Sequence, residues 1–118
     1  MILGIGIDLV DLKRIEKLAS QKFINRILSV EEKEVYDQIT SDQVKISYLG
    51  GRFAAKEAIF KAIASGPGTT NFNDFSVLNH ENGSPYVKTE FFKNHEIVHI
   101  SITHTDQEAI AYVVIEKL

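Results

Sequence analysis

The chain has 118 residues, 44% of them hydrophobic and 25% charged, with a formal net charge of −3 and a mean hydropathy of −0.06. That length and balance describe one ordinary globular domain over residues 1–118. They exclude a disordered chain, a membrane-spanning chain and a protein whose whole surface binds nucleic acid. With no cysteine there is no disulfide framework, thiol nucleophile or cysteine zinc site, and the expected location is cytoplasmic.

The opening run MILGIGI ends at Asp8, lacks a basic leader and is too short to cross a bilayer. Residues 2–10 therefore read as a buried strand whose Gly4 and Gly6 let another backbone come close. A helix is expected at about 11–21, with Leu12, Ile15, Leu18 and Ala19 inward and Lys13, Arg14 and Lys17 toward solvent. Residues 13–26 carry Lys13, Arg14, Lys17, Lys22 and Arg26 against Glu16, a local +4. Residues 31–42 carry five acids against Lys33, a local −4. The asymmetry fits an acidic partner docking near the first helix, and it also fits a solvated helix face.

Ser29 and Glu32 have capping-box spacing for a helix through about Ile39, and Thr40 with Gln43 repeats the pattern for a long helix over about 41–64. That helix should tolerate Gly50 and Gly51 because something packs tightly there, and should stop at Ser65-Gly66-Pro67-Gly68. Apart from Arg52, Lys56, Glu57 and Lys61, its middle is Phe53, Ile59, Phe60, Ile63 and alanines, the composition of a buried helix. Four charges on such a helix need partners. At about 100° per residue, Phe53, Glu57, Phe60, Lys61 and Ala64 share one side, which sets Glu57 beside Lys61. A helical salt bridge and a functional site both satisfy that pattern.

After the helices the pattern changes to period two. Segments at about 74–79, 85–90, 97–104 and 107–116 read as strands, with Asn82-Gly83 as a turn and Asp106-Gln107 in a short last connection. The expected fold is α+β, an antiparallel sheet that includes the first strand, packed on about three helices of which one is long and buried. His80, His95 and His99 fall at turns or on an exposed strand face.

Gly4-Ile5-Gly6 is no dinucleotide fingerprint, because Leu9 stands where the third glycine is required and the glycines lie within the strand. Asp8 and Glu57 instead form a candidate pair of hard oxygen ligands. Two carboxylates suit magnesium as anchors, with water and substrate phosphate completing an octahedron. Asp8 also reads as a helix cap or strand-end turn residue.

Gly4-Ile5-Gly6-Ile7-Asp8 with Arg14-Ile15, then Arg52-Phe53-Ala54-Ala55-Lys56-Glu57-Ala58 leading to Lys61-Ala62, then Gly83-Ser84-Pro85, then Ser101-Ile102-Thr103-His104-Thr105 occur in this order along nearly the whole chain. Together they closely resemble the holo-(acyl carrier protein) synthase family of 4′-phosphopantetheinyl transferases. The resemblance implies the fold of that family, a homotrimer with active sites between subunits, and partnership with coenzyme A and an apo acyl carrier protein in fatty acid biosynthesis. A carrier serine would attack the β-phosphorus of coenzyme A, accept phosphopantetheine and release adenosine 3′,5′-bisphosphate. By the same resemblance Asp8 and Glu57 hold Mg2+ and belong, with Lys61, to the catalytic set. Lys61 neutralises charge or supplies a proton at the leaving phosphate, and Glu57 draws the serine proton directly or through a water. Arg52, Lys56, Gly66, His104 and Thr105 are the expected contacts of the nucleotide end, Gly66 through loop amides. Arg14, with Lys13, Lys17, Lys22 and Arg26, is the expected docking surface for the carrier. Neither nucleic acid nor membrane is an expected partner. The sequence departs from the usual pattern at Ser84, where lysine is common, at Thr103, where serine is common, and at Gly50, where alanine is common. The competing readings are a metal-dependent nucleotide hydrolase and a non-catalytic coenzyme A-binding trimer.

Overall fold

The computed structural model describes residues 1–63, 66 and 68–118. Strand β1 (Ile2–Asp11) runs directly into helix α1 (Leu12–Leu18), followed by α2 (Gln21–Ile27), α3 (Val30–Gln38) and the long α4 (Asp42–Ala62). A 3-10 turn at Phe72–Asp74 precedes β2 (Ser76–Asn79), β3 (Pro85–Lys88), β4 (Glu96–His104) and β5 (Glu108–Lys117). The expected helix end at Ala64 and the stop at Ser65 and Pro67 lie outside the described residues. The architecture is α+β as expected, but the strands divide into an antiparallel sheet in the order β1-β5-β4 and a separate β2-β3 hairpin. Gly83, at φ +89°, supplies the left-handed residue of the hairpin turn, closed by the His80 amide on the Ser84 carbonyl at 2.8 Å.

Among the described residues there are four α-helices, one more than expected, because the helix read over 11–21 is the shorter α1 and a further helix, α2, follows it over Gln21–Ile27. α1 stops at Leu18, and Ser20 starts α2 by accepting a hydrogen bond from the Phe23 amide at 3.1 Å. Leu18 sits in that last turn 39% exposed, not inward as expected. Ser29 and Glu32 do form the reciprocal capping box of α3. The α4 cap is Ser41, one residue after the expected Thr40, with its hydroxyl on the Val44 amide at 3.3 Å.

α4 lies across the sheet and contributes much of the core through small residues: Ala54, Ala55 and Ala58 are fully buried and Ala62 nearly so. The reason is visible on β1. A Cβ at Gly4 would run into the Ala62 carbonyl oxygen, and one at Gly6 into that of Ala58, so helix and strand touch backbone to backbone. On the α1 side, a Leu12 methyl fills the space that a Cβ at Gly50 would need. Seven phenylalanines, among them Phe53, Phe60, Phe72 and Phe75, form edge and tilted contacts over the outer side of α4.

The opening strand is not buried on both faces, as its composition led us to expect. Gly6 and Val10 face α4, whereas Ile5, Ile7 and Leu9 point away from it and are 61%, 59% and 56% exposed. Tyr112, opposite Ile7 on β5, is 43% exposed on the same outer face. Within one chain nothing covers this face among the described residues. No helix among them is long and apolar enough to cross a membrane.

Candidate active site

The close α4–β1 contact decides where the charged residues of α4 emerge. With Ala58 and Ala62 pressed on Gly6 and Gly4, Lys61 reaches the edge of β1, where its ammonium donates to the Asp8 carboxylate and to the Ile7 carbonyl, both at 3.0 Å. Asp8 is mostly buried, its side chain 16% exposed, while the Lys61 side chain is 53% exposed. Glu57 sits half-buried one helical turn before Lys61. Its carboxyl is raised above the ordinary glutamate value, chiefly by burial and next by the negative charge of Asp8, and Lys61 and Arg14 pull it back. Asp8, Glu57, Lys61 and Arg14 therefore share one electrostatic neighbourhood on the β1 flank of α4. Arg14 is exposed on α1, as are Lys13 and Lys17, and Lys22 and Arg26 are exposed on α2.

A second group occupies the opposite flank. Arg52, 7% exposed, donates from Nε to the Val77 carbonyl and from Nη2 to Asn79 Oδ1, both at 3.1 Å, and its guanidinium lies 4.2 Å from the centre of the Tyr48 ring. Burial pushes the Tyr48 hydroxyl up to about 12, against the opposing pull of Arg52. Arg52, Tyr48, Ile102 and His104 line a cleft of about 260 Å³. His104 is the last residue of β4, and its Nδ1 lies 3.3 Å from the Thr105 carbonyl. The Thr105 hydroxyl accepts from the amides of Gln107 and Glu108, both at 3.1 Å, so Thr105 shapes the β4–β5 connection that carries His104.

Two expected nucleotide contacts are otherwise engaged. Lys56 is fully buried, and its three N–H bonds go to the Ile27 carbonyl at 2.9 Å, the Phe72 carbonyl at 3.0 Å and the Glu32 carboxylate at 2.7 Å. An ammonium has three donors, so none is left for a phosphate. Burial lowers the Lys56 pKa and Glu32 opposes the fall. Gly66 gives its amide to the Ile63 carbonyl at 3.0 Å, just past the end of α4. Glu32 is the residue that sequence reasoning saw only as a cap. Fully buried, it accepts from the Ser29 amide, Lys56 and the Val77 amide at 2.8, 2.7 and 2.7 Å, and so ties α3, α4 and β2 together. Its capping-box position was legible, but nothing in the local sequence points to a lysine 24 residues away. Among the described residues no buried side-chain polar atom lacks a partner. His80, His95 and His99 are exposed, with His99 on the outer strand face 2.9 Å from Glu116.

This fold, with a carboxylate pair on one flank of its long helix and a cradled arginine on the other, belongs to the 4′-phosphopantetheinyl transferase superfamily, whose family model matches residues 4–113. Within it the chain is similar to proteins named holo-[acyl-carrier-protein] synthase. One from a Geobacillus species is 49% identical over 121 residues, covering 100% of this chain and 99% of the relative, and one from Acholeplasma laidlawii is 46% identical over 116 residues, covering 98% of each. Among solved structures, a Bacillus anthracis holo-(acyl-carrier-protein) synthase in complex with CoA (3′,5′-ADP) matches with a TM-score of 0.89 at 41% identity, covering 100% of this chain and 99% of that one.

Proposed function

We propose that this protein transfers 4′-phosphopantetheine from coenzyme A to a serine of an apo acyl carrier protein, releasing adenosine 3′,5′-bisphosphate, in the cytoplasm. The observation that carries the proposal is the convergence of Asp8, Glu57, Lys61 and Arg14 on one flank of α4, in a chain similar over its whole length to proteins named for that activity. Asp8 and Glu57 fit a magnesium ion. They offer two hard oxygen donors that already repel each other, and two protein ligands would leave the remaining positions of an octahedral ion to water and phosphate. When bound, the ion would offset charge on the pyrophosphate and help to orient it.

In the transfer, the serine oxygen forms a bond to the β-phosphorus while the bond from that phosphorus to the bridging oxygen breaks. Glu57, whose raised pKa suits a proton acceptor, takes the hydroxyl proton. Lys61, held by Asp8 and the Ile7 carbonyl, stands where charge builds on the departing oxygen and neutralises it or supplies its proton. Arg14, with Lys13, Lys17, Lys22 and Arg26 exposed beside it, steers an acidic carrier toward that flank.

The second group supports an active site shared between subunits. Arg52 and Lys61 are nine residues apart on one helix, about 14 Å along the axis and about 180° around it. One coenzyme A cannot lie across both flanks of α4 in a single chain, so the metal pair of one subunit and the Arg52–His104 cleft of a neighbour would complete one site. With the pyrophosphate at Asp8 and Glu57, the phosphate left for Arg52 and His104 is the 3′-phosphate. The exposed apolar face of Ile5, Ile7, Leu9 and Tyr112 supplies surface for a homotrimer. Incubation with coenzyme A, Mg2+ and apo carrier protein tests the reading by mass spectrometry. A covalent phosphopantetheine on the carrier is expected, and it should disappear with Asp8→Ala or Glu57→Ala. Hydrolysed coenzyme A with an unmodified carrier would instead identify a hydrolase, and neither product a binding module.

A further inference from the structure

Arg52 has five N–H donors, a charge and two planar faces, yet its side chain is almost wholly enclosed. The enclosure is specific. Nε is held by the Val77 carbonyl, Nη2 by Asn79 Oδ1, and the guanidinium lies over the ring of Tyr48. Val77 is itself fixed, because its amide donates to the buried Glu32 carboxylate at 2.7 Å. Among the described residues the hydrogen bonds of the guanidinium leave from Nε and Nη2 and none from Nη1, and the cleft that Arg52 lines is shared with Ile102 and His104. Tyr48 precedes Arg52 by one helical turn, so the ring and the guanidinium are held by the same helix. Asn79, at the end of β2, does not line this cleft; it holds Arg52 from a second cleft that Arg52 and Tyr48 also border. A long flexible cation recognises a phosphate well only if its orientation is fixed before the phosphate arrives.

We infer that Tyr48 and Asn79 are positioning residues for substrate discrimination, holding the Arg52 guanidinium toward the His104 cleft so that the enzyme favours coenzyme A over a form lacking the 3′-phosphate. The inference rests on the reading of Arg52 as the contact of that phosphate. Neither residue touches the reacting phosphorus, so both act through KM for the phosphorylated substrate and leave kcat unchanged.

The test compares kcat/KM for coenzyme A and for dephospho-coenzyme A in the full-length protein, with intact folding of each variant verified by its melting transition. Asn79→Ala and Tyr48→Leu should each lower the preference for coenzyme A by about three- to tenfold, as expected when one contact holding a charged group is removed. The loss should appear in KM for coenzyme A alone. Tyr48→Phe, which keeps the ring, should retain the preference. Arg52→Gln serves as the reference and should abolish it. If Arg52→Gln abolishes the preference while Asn79→Ala and Tyr48→Leu leave it intact, Arg52 is the phosphate contact and the inference about its supports is wrong. A variant that slows both substrates equally points to a merely structural role and overturns the inference for that residue. An Arg52→Gln enzyme with full preference overturns the underlying reading, and this inference falls with it.

Discussion

Glu57 is raised above its ordinary value of 4.5, first by burial and then by Asp8. An acid in this state holds its proton more tightly folded than unfolded, so its contribution to stability is greatest below pH 4.5 and declines as pH rises through the elevated folded value. Glu57→Gln should therefore raise the melting temperature of the metal-free protein at pH 7 by about 1–2 °C and flatten its decline between acidic and neutral pH. Melting curves across that range, with and without Mg2+, check this, because added Mg2+ should stabilise the wild type and leave the variant unmoved. Lys56, its neighbour in sequence, behaves in the opposite way because its charge is already matched. Lys56→Met strands the Glu32 carboxylate in the core and should cost about 3–5 kcal/mol in chemical denaturation, whereas adding Glu32→Gln should recover much of the loss.

At the scale of elements, the site depends on how closely α4 approaches β1. Gly6→Ala would place a methyl against the Ala58 carbonyl, which is backbone and cannot rotate away. The helix must move off the strand, so we expect a loss of about 1–3 kcal/mol together with a fall in transfer activity as Glu57 and Lys61 leave Asp8. Gly51→Ala is the control. Its Cβ would meet only an Ile102 methyl at 3.4 Å, and removing a glycine from a helix interior should stabilise the protein by about 0.5–1 kcal/mol. Denaturation midpoints of both variants, with initial rates for Gly6→Ala, separate a helix that needs small residues for contact from one that merely contains them.

For the whole molecule, the outer face of the β1-β5-β4 sheet and the two flanks of α4 lead to the same expectation. Ile5→Glu should convert the proposed trimer to monomers in sedimentation, with loss of transfer and a retained melting transition, because the new charge lies on the open sheet face and not in the core. Glu57→Ala should be inactive alone, and Arg52→Ala should transfer only weakly at subsaturating coenzyme A. When mixed and reassembled in equal amounts, about one site in four draws both intact halves from neighbouring subunits, so activity should return to about a quarter of wild type. Rates measured on the separate and mixed proteins decide whether the site is shared.

The sequence by itself determined the α+β class, most of the strand-like and helical segments, and the placing of Glu57 and Lys61 one turn apart on the same helix, because these follow from period, capping and spacing over a few residues, although Lys61 forms its ion pair with Asp8 and not with Glu57. It also marked Gly4 and Gly6 as a close approach, since a glycine pair in a β-branched strand has few other uses. Only the tertiary structure decided what approached them, Ala58 and Ala62 of the long helix, and hence that Lys61 meets Asp8 across 53 residues of chain. Lys56 and Arg52 looked alike in sequence, yet one is saturated by Ile27, Glu32 and Phe72 while the other borders a cleft, because burial depends on partners far away along the chain. The same reason hid the open face of β1. An apolar strand has one composition whether its second face meets its own helix or another subunit, and the packing of the folded chain leaves Ile5, Ile7 and Leu9 uncovered.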